Sequence, residues 1–243
     1  MDIRKLIRQQ LIYLQKDNNE NLPHHFDVAC ALYGAKDLNL KYKLITYEEV
    51  ESGRFDNLIR KHLFVGSVEF MYMVFKRINC FPTKLPNNER EQFTTLSDVR
   101  QRIENGETIF VKPNQIKLFT GSVYDKFFIN TLDEYPDDLE VITDTPFTSP
   151  IDSEWRIYVK DGKMMDSRNY SGNHLIHFDP VVAQEMIDKF KDQARCFTCD
   201  MAILENGDNV CVEINDMWAI GNYGMDNDMY VSLLKHRYFE ILS

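Results

Sequence analysis

Three oxygen-bearing side chains, Asp200, Glu213 and Asn215, are spaced so that a β-hairpin would gather them on one face. The segments TCDMAILE and NVCVEIND read as strands joined by a turn at Asn206-Gly207-Asp208, which sets Asp200 across from the strand carrying the other two. Glu213 and Asn215 are two residues apart and share a face. Oxygen donors placed this way suit a hard cation such as Mg²⁺, which keeps water and substrate phosphates in its remaining positions. On an exposed sheet the same residues would simply be solvated. Here their neighbours Met201, Ile203, Val210, Val212 and Ile214 are apolar, and a polar side chain on such a strand needs a partner.

Basic residues that suit phosphate come earlier in the chain. Lys112 ends the apolar run TIFVKP, where Pro113 stops regular pairing and a lysine points its ammonium into a cleft. Lys117 follows in IKLFTGS, whose Thr120-Gly121-Ser122 turn offers backbone N–H groups to a phosphate. Alone, either lysine reads as a solvated strand residue. Beside a carboxylate cluster, the two suggest a polyphosphate held between cations. In EWRIYV, Glu154 and Arg156 share one strand face while Trp155 and Ile157 take the other, and Arg168 lies on the returning strand of a hairpin that turns at Asp161-Gly162. Arg156 suits either bidentate contact with phosphate or carboxylate oxygens or an ion pair with Glu154.

Other motifs carry less chemistry. Cys196 and Cys199 have a C-x-x-C spacing, but on a strand their sulfurs point to opposite faces and cannot hold one zinc ion. His174 and His177 are bracketed by Gly172-Asn173 and Asp179-Pro180 and read as solvent-facing loop residues. Met71, Met73 and Phe75 read as core. The segment Gly221-Asn-Tyr-Gly224 follows the metal-binding strand, a place where loops often bind substrate.

The elements that must position these residues can be read from periodicity and turn chemistry. Residues 3–16 place Ile3, Leu6, Ile7, Leu11 and Leu14 near one helical face, predicting an amphipathic helix. A strand is expected over 42–47, another at Leu63–Val65, then a turn at Gly66-Ser67 and a helix rich in Met and Phe. CFPTKLPNNEREQF carries two prolines and no periodicity and marks a domain boundary. Ser97 caps a helix that ends at Gly106. Short apolar runs at 108–111, 116–119 and 127–130 read as strands of an antiparallel sheet, TDTPFTSPID as a connector, 180–193 as a helix and NDMYVSLLKHRYFEIL as a closing helix.

Composition narrows the class. The 243 residues are 44% hydrophobic and 12% aromatic, enough to fill a sizeable core. Thirty-eight acidic against 28 basic residues give a net charge of -10, which disfavours nucleic acid as a partner. The N-terminus lacks the apolar stretch of a signal peptide, and no run approaches the length that spans a bilayer. Five cysteines outside any paired framework point to a reduced, cytoplasmic protein.

The order FVKP, a glycine-containing hairpin, a proline connector with EWR, and DMAILENGDNVCVEIND resembles the ATP-grasp superfamily, and within it the clade with one arginine and two lysines found in phages and bacterial biosynthetic clusters. The resemblance covers about residues 63 to 243. It implies an α+β fold in which two antiparallel subdomains, about 86–145 and 146–243, clasp ATP, preceded by a small α/β unit over 1–85. It implies an ATP-dependent ligase that phosphorylates a small-molecule or peptide carboxylate and lets an amine attack the acyl phosphate. Lys112 and Lys117 would then touch phosphates, and the backbone of Asp144, Thr145, Pro146 and Phe147 would read adenine. Glu154 would bind ribose, and Asp200, Glu213 and Asn215 would hold Mg²⁺. Lys117 with Arg156 or Arg168 would be the clade's remaining basic residues, the candidates for catalysis. Peptide-forming members often carry an arginine where this chain has Thr198, a task Arg168 would take over. The hairpin over 117–124 would close as a lid that excludes water. The alternatives are a phosphotransferase that stops after phosphoryl transfer and a nucleotide-binding module without turnover. The cell compartment implied is the cytoplasm, that of the host if the chain is viral.

Overall fold

In the computed structural model, residues 11–86, 88–114 and 118–243 are described. They divide into two compact units, one of residues up to 85 together with 151–243 and one of residues 86–150.

The first unit holds two sheets. A parallel three-stranded sheet orders β2 (Lys41–Ile45), β1 (Leu11–Gln15) and β3 (Leu63–Val65). Residues 11–15 are therefore strand where the periodicity predicts helix, and the remainder of that predicted helix lies outside the described residues. The physical reason is burial. Ile12, Tyr13, Leu14 and Gln15 are all buried in succession, the pattern of a central parallel strand covered on both faces. Helix α1 (Phe26–Asp37), which the sequence reading did not assign, is capped by the His25 side chain, and its Gly34 packs against helix α7 (Asn227–Ile241) so closely that a Cβ there would lie 2.0 Å from the Asn227 carbonyl oxygen. Two short helices, α2 (Tyr47–Glu51) and α3 (Asp56–Ile59), lead to β3, and α4 (Val68–Arg77) begins at Ser67 and buries Met71, Met73 and Phe75 as expected.

The second sheet of this unit is antiparallel, in the order β11 (Asn209–Asp216), β10 (Cys196–Leu204), β8 (Ile151–Lys160), β9 (Lys163–Gly172). Asp161 (φ 50°) and Gly162 (φ 73°) make the β8–β9 turn, with both residues left-handed as a two-residue type I′ hairpin requires. One face buries Ile157, Phe197, Cys199, Met201 and Ile214 against helix α6 (Pro180–Phe190). The opposite face joins the larger core through Tyr158 and Cys196. Cys196 and Cys199 thus belong to different clusters, as alternation along a strand dictates.

The second unit is an antiparallel sheet in the order β4 (Gln92–Thr95), β7 (Glu140–Asp144), β5 (Ile109–Pro113), β6 (Ser122–Tyr124), with α5 (Leu96–Glu104) buried on it through Leu96, Val99 and Ile103. The cap of α5 is Thr95, whose hydroxyl accepts from the Asp98 N–H, two residues earlier than the expected Ser97. The expected strand over 127–130 is a turn leading into a 3-10 helix, Ile129–Leu132, because the Asp125 carboxylate accepts from the N–H groups of Phe127 and Phe128 and folds the chain back. Of the expected strand over 116–119, residues 118 and 119 are a bend and the rest lies outside the described residues.

Candidate active site

The β11–β10–β8–β9 sheet lines up polar residues in registered rows. One row runs Glu213, Asp200, Arg156, Arg168, and the next runs Asn215, Thr198, Tyr158, Asp166. The hairpin spacing read from the sequence therefore does bring Asp200, Glu213 and Asn215 together, with Arg156 directly across from Asp200.

Asp200 is 1% exposed and Arg156 6%. The Arg156 guanidinium forks onto the carboxylate, Nε donating to Oδ1 at 2.9 Å and Nη2 to Oδ2 at 2.6 Å, while Nη2 lies 4.0 Å from Glu213. The partner of Arg156 is thus Asp200 rather than Glu154, because register places Asp200 opposite it. Burial pushes the Asp200 carboxyl up to about 6 against the opposing pull of Arg156, with Glu213 and Glu154 adding to the rise. Burial also opposes the Arg156 charge, but its bonds to Asp200 more than compensate and raise its pKa. The two-bond fork is the geometry of an ion pair, carboxylate against guanidinium. Asn215 Nδ2 donates to Glu213 Oε1 at 2.8 Å, which turns its Oδ1 away as an acceptor. The Thr198 hydroxyl, in the same row as Asn215, is the one buried side-chain polar atom without a partner among the described residues.

Two tyrosines that the sequence reading passed over complete the surroundings of Arg156. Tyr170 and Tyr223 stack at 5.1 Å and 14°, and the guanidinium carbon lies 4.7 Å from the Tyr223 ring centre and 5.8 Å from that of Tyr170. Such contacts favour an arginine held in one place. Tyr170 also donates its hydroxyl to Glu154 at 3.3 Å. Tyr223 belongs to the Gly221–Gly224 loop singled out from the sequence. It has φ 47°, and the Tyr158 hydroxyl anchors the loop on the carbonyls of Gly221 (2.7 Å) and Asn222 (2.6 Å). Arg168 is engaged by Asp166 on its own strand at 2.7 Å.

In the second unit, Lys112 sits half-buried on β5 opposite Ile142. A Cβ on Gly121 would come within 3.0 Å of the Lys112 Cβ and 2.8 Å of the Phe110 ring, so glycine lets the chain run close against that strand. Lys117 lies outside the described residues. The Asp144 carboxylate accepts from Asn88 (2.9 Å) and from Arg90 (3.0 Å), and also from the Thr145 N–H at 2.6 Å. Pro146 has no N–H to offer, and that of Thr145 is turned onto Asp144. The Phe147 ring centre lies 5.4 Å from the Arg90 guanidinium.

A metal would meet only hard oxygen donors here, two carboxylates and an amide carbonyl, a set that fits Mg²⁺. Three side chains leave positions of such an ion to be filled by water and by phosphate oxygens of a bound molecule. His174 and His177 are exposed, His177 lying 4.5 Å from Trp155 ring to ring. A cavity of about 690 Å³ lined by Leu38, Lys235 and Phe239 among others shares no residue with the polar rows. No helix among the described residues is long and apolar enough to cross a membrane.

A family model for the ATP-grasp domain, the second family of the clade named for one arginine and two lysines, matches residues 90–233, more than half the chain and every polar row just described. The chain belongs to this ATP-grasp family. Its α+β architecture is the ATP-grasp fold, as the solved structures agree. N5-carboxyaminoimidazole synthetase from Staphylococcus aureus matches with a TM-score of 0.58 at 11% identity, over 94% of this chain and 78% of that one. The ATP-grasp ligase PsnB, complexed with precursor peptide PsnA2 and AMPPNP, matches with 0.56 at 10% identity over 98% of each chain. D-cycloserine synthetase DcsG matches with 0.55 at 11% identity over 95% and 99%. At such identities the likeness is one of ATP-grasp fold. A sequence comparison with curated proteins finds no match.

Proposed function

We propose that this protein is an ATP-dependent carboxylate–amine ligase that forms an amide or peptide bond through an acyl phosphate. The observation that carries the reading is the row Glu213–Asp200–Arg156–Arg168 on a buried sheet of an ATP-grasp family member, where two carboxylates and two guanidinium groups stand side by side. Asp200, Glu213 and the Asn215 carbonyl would hold Mg²⁺, which on binding neutralises charge on the transferring phosphoryl group. Lys112, with Lys117, contacts the phosphates. The 144–147 segment reads adenine through the Phe147 N–H and its carbonyls, the Asn88 and Arg90 bonds to Asp144 fixing where it leaves β7. Glu154, oriented by Tyr170, binds ribose. Arg168 stabilises the phosphoryl transition state and Arg156 the nucleotide or substrate carboxylate. The Phe197 face of the sheet is apolar core, so chemistry is confined to the opposite face.

The substrates are a small-molecule or peptide carboxylate and an amine, in keeping with neighbours whose names specify a small-molecule synthetase and a precursor-peptide ligase. The test is mass spectrometry of products after incubation with ATP, Mg²⁺ and a pool of amino acids. Ligation gives a condensed product with ADP and phosphate. A phosphorylated product that never condenses would establish the phosphotransferase reading instead, and unchanged ATP would contradict both.

A further inference from the structure

The sign and placement of charge around Asp200 carry a consequence for how a metal would arrive. Asp200 and Glu213 contribute two negative charges and Asn215 none, while Arg156 returns one positive charge directly onto Asp200 through a two-bond fork. Asp200, Glu213 and Arg156 together sum to one negative charge, Glu154 adds a second from beyond the ligand set, and the adjoining Arg168 is already matched by Asp166. Divalent-cation affinity rises with the charge of the ligand set. A ligand set whose two carboxylates are half neutralised by a buried guanidinium, 4.0 Å from Glu213, is a poorer trap for a free ion than the carboxylates alone. Polyphosphate oxygens would supply the missing charge.

The fork is also built to stay. Arg156 is buried, both Asp200 oxygens are bonded to it, and the Tyr170–Tyr223 stack lies against its guanidinium. Tyr223 is held there by a left-handed backbone between two glycines and by the Tyr158 anchor on its loop. The Nη1 edge is not part of the fork, and it passes 3.6 Å from the position a Gly221 Cβ would take, so no side chain of that residue covers it. That edge is a donor for an incoming anionic oxygen.

We propose that Arg156 is a specificity-determining residue that makes this site select a metal–nucleotide complex over the free metal ion. It lowers the affinity of Asp200 and Glu213 for a free divalent cation and offers Nη1 to the oxygens the nucleotide brings. The inference rests on the proposed metal–nucleotide reading of the same residues.

The experiment titrates Mn²⁺, read by its electron paramagnetic resonance signal, into the whole protein alone and with AMPPNP. Wild type binds Mn²⁺ with AMPPNP at least about tenfold more tightly than Mn²⁺ alone, and Arg156→Met binds free Mn²⁺ at least about tenfold more tightly than wild type, roughly 1.4 kcal/mol of relieved opposition. Adding Glu213→Gln to Arg156→Met removes the gain. Arg156→Lys, which keeps the charge, stays near wild type. Wild type that binds free Mn²⁺ as tightly as the complex overturns the inference, whatever the fate of the variants. So does an Arg156→Met protein with unchanged free-ion affinity. No binding of Mn²⁺ with AMPPNP by wild type would instead overturn the metal–nucleotide reading and this inference with it.

Discussion

Replacing Asp216 by alanine should destabilise the protein by about 3 kcal/mol, near the low end of what removing one partner of a buried ion pair costs. Asp216 is the last residue of β11, next to Asn215, and it ties that strand to helix α7. Arg237 Nε and Nη2 donate to its two oxygens at 2.7 and 2.6 Å, with the Arg237 and Asp216 side chains 5% and 12% exposed. Alanine leaves Arg237 buried with Glu240 at 2.9 Å as its remaining partner, a residue 26% exposed and so a weaker one. At about 2 to 4 °C per kcal/mol for a chain of this length, the melting temperature should fall by roughly 6 to 12 °C.

The intact pair is a different matter. Burial raises the Asp216 pKa against the pull of Arg237. A carboxylate raised in this way contributes stability that is whole below its unfolded pKa and lost as pH rises through its folded value. At neutral pH the pair as a unit therefore adds little, and removing both charges should restore most of the loss. Urea unfolding followed by tryptophan fluorescence suits the measurement, since Trp155 and Trp218 both lie in the unit that contains the pair. A loss under about 1 kcal/mol in Asp216→Ala would show the pair to behave as a solvated one. An Asp216→Ala/Arg237→Met double variant less stable than Asp216→Ala would refute the argument from buried charge.

Tyr158→Phe should cost about 1 to 3 kcal/mol by leaving the Gly221 and Asn222 carbonyls without their shared donor, measured by the same unfolding curves. Lys112→Ala should weaken ATP binding by about 1.5 to 3 kcal/mol, the range for a hydrogen bond to a charged group, and calorimetry giving unchanged affinity would remove Lys112 from the site. In the native protein Cys80 should be the first thiol to react with Ellman's reagent. Cys30, Cys196, Cys199 and Cys211 are buried, and burial pushes Cys196 up to about 12, so early labelling of Cys196 or Cys199 on a peptide map would contradict the core described here.

The hairpin pair that carries the candidate metal ligands was legible because its signals are local. Strand alternation, the Asn206-Gly207-Asp208 turn and the Asp161-Gly162 turn each fix register within a few residues, and register alone puts Asp200 beside Glu213 and Arg156. Leu11–Gln15 was misread because a strand buried on both faces shows no two-residue alternation, and Leu11 and Leu14 also fit a helical face continued from residues before them. The turn at Asp125 depends on one side chain bonding two backbone N–H groups, which apolar runs at 127–130 conceal. Tyr170 and Tyr223 are 53 residues apart in sequence and meet only because the loop after β11 folds over β9. No spacing rule would pair them, although the glycines flanking Asn222-Tyr223 did mark the loop.

Under the proposed function, Asp200, Glu213 and Asn215 hold the metal of a bound nucleotide. Calorimetric titration of AMPPNP in the presence of Mg²⁺, with wild type and a Glu213→Gln/Asn215→Ala variant side by side, tests it most directly. Wild type should bind in a magnesium-dependent way and the variant should lose that dependence, with the melting temperature nearly unchanged because both residues are only partly buried. Equal magnesium-dependent affinity in the two proteins would contradict it.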